Sequence, residues 1–202
     1  MTEQLDNHEL NERLKLIESM IAEGRRTTES WGWTFVFWGL AYYVAIGWTA
    51  WTHYPFAWLI TMTGASVLMW VIIGQKSKAR QEKKAETTIG RAIFSTWASM
   101  GISMSVLLVS MGFSGHFSSQ MFVAVVAAML GTTNAASGLL LRWKAQIACA
   151  VIWWAATVAA CFSTADQSTV VFVVAIFFCQ IVFGGIAMSR EAQARRQGAI
   201  HA

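Results

Sequence analysis

Charge is what this sequence most lacks. Asp, Glu, Lys and Arg make up 13% of its 202 residues, and six long runs contain none of them: residues 31–52, 55–74, 92–113, 121–141, 145–163 and 168–188. Carriers and pumps that move protons, and many cation channels, need a carboxylate or imidazole at membrane depth to take up and release charge. No such group lies within these runs, so those mechanisms are excluded. Cysteine is also scarce. Cys149, Cys161 and Cys179 fall inside the apolar runs without CxxC or metal-ligand spacing and read as small apolar residues. There is no GxSxG elbow, no Walker loop, no HExxH helix and no nucleophile beside a base, which argues against an enzyme and against a bound cofactor. Proline occurs once, at Pro55 between the first two runs.

What is present is hydrocarbon. The chain is 55% hydrophobic with a mean hydropathy of +0.46. A run of about 20 apolar residues, rising about 1.5 Å each, covers a hydrocarbon core roughly 30 Å thick. The fold class expected is an all-α integral membrane protein, a six-transmembrane-helix bundle of three hairpins. A cytoplasmic amphipathic helix within residues 1–30 precedes it, and a cytoplasmic tail, 189–202, follows. All 15 basic residues fall on one side of this topology: Arg13, Lys15, Arg25 and Arg26; Lys76, Lys78, Arg80, Lys83, Lys84 and Arg91; Arg142 and Lys144; Arg190, Arg195 and Arg196. The other three loops carry none. Lys and Arg resist translocation, so both termini are expected in the cytoplasm, and the basic balance reads as topology rather than nucleic-acid binding. The loop from Lys76 to Arg91 then faces anionic lipid of the inner leaflet. Trp31, Trp33, Trp70, Trp97 and Trp143 fall near the inner boundary, and Trp48, Trp51, Tyr54 and Trp58 near the outer one, as an interfacial belt would. Trp153 and Trp154 sit mid-run instead.

The first thirty residues are polar, so no cleavable signal is expected. Within them Leu10, Leu14, Ile17 and Ile21 recur at helical spacing, with Asp6 and Glu9 as a cap and Gly24 as a stop. Such a stripe needs a cover. The candidates are the basic loop, a second copy in a short coiled coil, a separate protein, or the membrane surface, which the acid-rich polar face disfavours.

Only two amides lie deep within the runs, and they share a level. Asn134 lies thirteen residues into the fourth run and Gln180 twelve into the sixth. Ser99, with Ser95 and Ser103 a turn away, lies at that depth on the third, and Ser66 on the second. Two readings compete for this layer. In one, Gly131, Ala135 and Gly138 form a small-residue contact face, and Asn134 is hydrogen-bonding glue between helices. In the other, Asn134, Gln180, Ser99 and Trp153 or Trp154 line a pocket for a neutral polar molecule. On the outer side, His53, His116 and Asp166 hold a metal only if three hairpin tips converge. "TGASVL" at Thr63 and "NAASGL" at Asn134 hint at a parallel repeat of hairpins.

The charged N-terminal helix, then "WGWTFVFWGLAYYV", the basic loop and the late "NAASGLLLRWKAQIACAVIWW" together resemble a group of small uncharacterised polytopic proteins of the bacterial inner membrane. That resemblance implies the setting and no activity. The expectation is a non-catalytic interaction, regulatory or assembly module, a homo-oligomer or a subunit of a membrane complex. A small channel or facilitator for uncharged solutes is the alternative.

Overall fold

The computed structural model describes residues 9–22, 31–52, 54, 56–79, 88–115 and 118–200. Helix is the only regular structure among them. It comprises α1 over residues 9–22, α2 Gly32–Thr52, α3 Ala57–Ala79, α4 Thr88–Ser114, α5 Ser119–Leu140, α6 Lys144–Cys161, α7 Ala165–Ile176, a π-helical segment Phe177–Val182, and α8 Phe183–Ile200. Five stretches are long and apolar enough to cross a membrane: Ala57–Gln75, Ile89–Ser114, Ser119–Leu140, Lys144–Cys161 and Ala165–Gln193. These mark a multi-pass membrane protein. The uncharged, 21-residue α2 is not among the five, because Trp33, Trp38, Tyr42, Tyr43, Trp48 and Trp51 bring polar N–H and O–H groups into it and lower its mean hydropathy. Helices also outrun their apolar stretches. Backbone hydrogen bonding does not stop where lipid would, so α3 continues past Gln75 and α8 past Met188.

Lipid tails are as apolar as leucine, so burying apolar side chains gains little there, and helices associate where their backbones approach closely. Two glycine seams provide that approach. On α5, a Cβ at Gly131 would stand 2.5 Å from Trp154 Cδ1, and one at Gly138 would stand 2.8 Å from Ile147 Cγ1 and 3.0 Å from the Ile147 nitrogen. On α2, Gly32 meets α8 and Gly39 the π-helical segment in the same way: a Cβ would lie 2.8 Å from Ala187 Cβ and 2.8 Å from Ile181 Cδ1, respectively. Gly184 answers from the opposite side, 2.8 Å from the Gly32 carbonyl oxygen. Each pair repeats at seven residues, within about 20° of two full turns, so both glycines lie on one face of their helix.

The α5–α6 seam begins at its turn. Trp143 N–H donates to the Gly138 carbonyl (2.8 Å) and Arg142 N–H to the Leu139 carbonyl (3.2 Å), a Schellman closure whose left-handed residue is Arg142, at φ 49°. At the far end, Thr164 and Gln167 form a capping box on α7, Ser118 caps α5, and Gln120 Nε2 donates to the Ser163 carbonyl. The π-helical segment has a packing consequence. Ile176, Gln180 and Gly184 recur every four residues and all are buried. In an α-helix that spacing drifts by about 40° per step, and the wider π turn takes up the drift.

Between the seams the core is aromatic. Towards the α2–α3 turn, Trp58 packs on Phe122 (5.2 Å between ring centroids), Tyr42 on Phe172 (5.6 Å) and Trp153 on Phe172 (5.8 Å), joining five helices. Towards the basic end, marked by Arg91, Arg142, Lys144 and Arg190, Phe35 meets Trp97 (5.2 Å) and Phe183 (5.1 Å), and Trp143 meets Phe183 (5.0 Å). Trp58, Trp97 and Trp143, expected in the interfacial belt, therefore turn inward, Trp143 almost completely. Trp31, Trp48, Trp51 and Trp70 do face outward. Helices α3 and α4 lie at the periphery. Only 17% and 11% of their apolar windows are buried, against 50% for α5.

Two substitutions test the seams. Gly39→Leu drives a side chain into Gln180 and Ile181 and costs about 1–3 kcal/mol. Gly64 on α3 has open space around it, so Gly64→Ala gains about 0.5–1 kcal/mol of helix stability. Unfolding of the purified protein in mixed micelles, followed by circular dichroism, reads both. Equal effects would remove the distinction between seated and open glycines.

Candidate functional site

The polar side chains of the bundle centre are held by α5, α6 and the π-helical segment. Gly131 faces Trp154 and Gly138 faces Ile147, so Asn134 stands level with Val151 on α6. Cys179 Sγ lies 3.6 Å from the Cys149 carbonyl, which places Gln180 about one turn nearer the basic end. Gln146 is next along α6 in that direction, and it shares the buried stripe of Cys149, Ala150 and Trp153. Asn134, Gln180, Gln146 and Trp153 are all buried, with Gln146 and Trp153 fully so.

Their bonding differs from the glue expected of Asn134. Its Nδ2 donates to the carbonyl of Leu130 one turn back in its own helix (2.8 Å), and its Oδ1 has no protein partner. Both amide atoms of Gln146, Oε1 of Gln180 and Nε1 of Trp153 are likewise without one. A buried polar atom left unpaired costs about 1–3 kcal/mol. The bonds that do cross between helices come from other residues. Trp97 Nε1 donates to Ser137 Oγ (3.0 Å), Tyr43 Oη to the Val173 carbonyl (3.0 Å), and Tyr42 Oη reaches Met104 Sδ (3.6 Å).

The serines expected to complete the layer are elsewhere. Ser99 and Ser103 lie on the exposed face of α4, whose inner face is the stripe Ile93, Trp97, Met100, Met104. Ser66 is half-buried and donates to the Met62 carbonyl of its own helix. A hydroxyl that bonds its own backbone has little need of a partner helix, so it does not decide which face turns inward. Trp154 is half-exposed, its ring laid over Gly131. Gln146 and the Trp97–Ser137 bond were not singled out from sequence. Gln146 stands two residues from Lys144 and reads as interfacial; only its spacing from Cys149 and Trp153 marks it as inward.

The centre can donate and accept hydrogen bonds. It offers no carboxylate, imidazole or amine among the described residues. No cluster of three His, Cys, Asp or Glu side chains occurs among them. Asp166 is exposed in the first turn of α7, where a negative charge suits the helix dipole, and His53 and His116 lie outside the described residues. Of the basic loop, Arg91 is exposed in the first turn of α4, and Arg142 and Lys144 are exposed at the α5–α6 turn. Lys76 and Lys78 belong to the last turns of α3, their side chains outside the description, and Arg80, Lys83 and Lys84 lie outside the described residues altogether. On α1, Leu10, Leu14 and Ile17 are each about half exposed and Ile21 is partly buried.

The unpaired amides give a direct test. Gln146→Leu keeps the side-chain volume and removes two unpaired buried atoms, so stability in the same unfolding assay is unchanged or rises by about 1 kcal/mol. Ser137→Ala removes the acceptor of Trp97 and costs about 0.6–2 kcal/mol. The opposite order would mean that Gln146 is bonded and Trp97 is not.

Comparison with protein families, with curated proteins and with solved structures finds no match to this chain.

Proposed function

We propose that this protein is a non-catalytic assembly or regulatory module of a bacterial inner membrane, crossing it six times with both termini in the cytoplasm and associating with copies of itself. The observation that carries this reading is the contrast between interior and exterior. The centre of the bundle is closed by side chains: Trp153 is fully buried and Trp154 covers Gly131. On α1, by contrast, Leu10, Leu14 and Ile17 are each about half exposed. A sixth crossing by α2 is supported by its length, its lack of charge and its seam with α8. The side assignment rests on the basic residues, and Arg91, Arg142, Lys144 and Arg190, exposed at one end, suit anionic headgroups. The bacterial setting rests on the resemblance of the sequence to small polytopic proteins of that membrane.

A facilitator for uncharged solutes is the second reading. It is favoured by the unpaired amides of Asn134, Gln146 and Gln180, which a passing hydroxyl or amide compound would satisfy.

Mass measured in lipid nanodiscs separates the ideas. A dimer or larger assembly is expected, and a strict monomer would overturn the leading reading. Vesicles holding the protein should swell in glycerol or urea no faster than empty ones. Faster swelling that Asn134→Leu abolishes, with assembly intact, would establish the facilitator instead. For sidedness, in a Cys161→Ser background a cysteine at Asp166 reacts with an impermeant maleimide in whole cells and one at Arg142 does not.

A further inference from the structure

The exposed stripe of α1 also specifies how it is covered. With Leu14 and Ile21 at positions a of a heptad and Leu10 and Ile17 at positions d, Arg13 falls at g and Glu18 at e. In a parallel pair of helices, a g residue faces the e residue five positions on in the partner. Arg13 of each copy then meets Glu18 of the other, on both flanks of the apolar seam. Antiparallel pairing brings Arg13 opposite Met20 and Glu18 opposite Asn11, so both ion pairs are lost. In the single chain Arg13 bonds Glu9 at 2.6 Å, but both side chains are largely exposed, and such a pair is readily exchanged. The bilayer is a poor cover, because Glu9, Glu12 and Glu18 outnumber Arg13 and Lys15 on this helix and anionic headgroups repel it.

We infer that α1 pairs in parallel and in register with α1 of a second copy of this chain, with Leu10, Leu14, Ile17 and Ile21 as the seam and Arg13–Glu18 as the flanking ion pairs. This inference rests on the self-association proposed above. The fourteen described residues of α1 would be marginal as an isolated helix. Two copies held in one membrane assembly face each other at high effective concentration, which makes a short seam sufficient. Parallel pairing is compatible with both copies entering the membrane from the same side.

Cross-linking in native membranes tests this with the full-length chain in a Cys161→Ser background. Leu10→Cys should form a disulfide-linked dimer on mild oxidation, and Ser19→Cys, on the opposite face of α1, should not. Arg13→Glu or Glu18→Arg alone should lower the Leu10→Cys dimer yield about fourfold or more, and the double exchange should restore it. The inference is overturned if Leu10→Cys and Ser19→Cys cross-link equally, or if Leu10→Cys links only to a cysteine at Ile21, as antiparallel helices require. It is also overturned if Leu10→Cys fails to link in an assembly that nanodisc mass shows to be a dimer, an outcome that leaves self-association standing. A monomeric mass overturns both.

Discussion

The close approach of α6 to α5 at Gly131 and Gly138 is the contact from which the rest of the bundle is set. In lipid, contact distance decides association, because dispersion falls steeply with any gap. The Schellman turn at Arg142 starts the two helices together, and the glycines keep them together for two further turns. Once that register is fixed, the inward face of α6 must be Gln146, Cys149, Ala150 and Trp153. The face of α5 turned to α4 then holds Ser137, within reach of Trp97. The second seam, Gly32 and Gly39 against Ala187 and Ile181, brings α2 to the other side of the same core and sets Gln180 against it.

The result is a polar level between two aromatic clusters. Trp58, Phe122, Tyr42, Phe172 and Trp153 close one side, and Phe35, Trp97, Phe183 and Trp143 close the other. The aromatic contacts are edge-on or tilted, the arrangements in which ring quadrupoles attract. They offset amides that are poorly satisfied: Asn134 spends its N–H on its own helix, and Gln146 finds no protein partner. Those amides are therefore not what holds the helices together. Being unpaired, they are the groups on which the second functional reading rests.

Helical class and the placement of apolar helices were legible because both follow from length and charge along the chain. Radial direction was not. Trp97 and Trp143 are expected at a boundary from their positions in the runs, and both face inward, because direction depends on which neighbour sits close by. Ser95, Ser99 and Ser103 make a regular polar stripe, but hydroxyls that bond to the preceding turn, as Ser95 does to Arg91, lose nothing by facing lipid. The inward stripe of α4 was present in the sequence as Ile93, Trp97, Met100 and Met104 at spacings of four, three and four. It was hidden by being no more apolar than its surroundings. Of the two readings of "GTTNAASG", one takes its glycines as a contact face, and Gly131 and Gly138 do sit against Trp154 and Ile147; the asparagine between them, taken there as glue, donates only to its own helix. The π turn had no sequence signal except the four-residue spacing of Ile176, Gln180 and Gly184.

A chain that packs glycine and tryptophan at its centre still leaves two helices nearly bare. Helices α3 and α4 expose Val67, Trp70, Ile102, Val106 and Phe113, which suit hydrocarbon and require no protein cover. Their glycines at 64, 74, 101 and 112 meet nothing, so the periphery lacks the seated contacts that define the core. The stripe on α1 is a different case. It lies outside the apolar runs, where exposed leucine and isoleucine do cost free energy, at about 25 cal/mol for each Å² of apolar surface left in water. Within the bundle every seam is already occupied by the chain's own helices. Among the described residues outside the apolar runs, α1 is where Leu10, Leu14 and Ile17 stand half exposed in a row, and the pairing proposed above rests on that exposure.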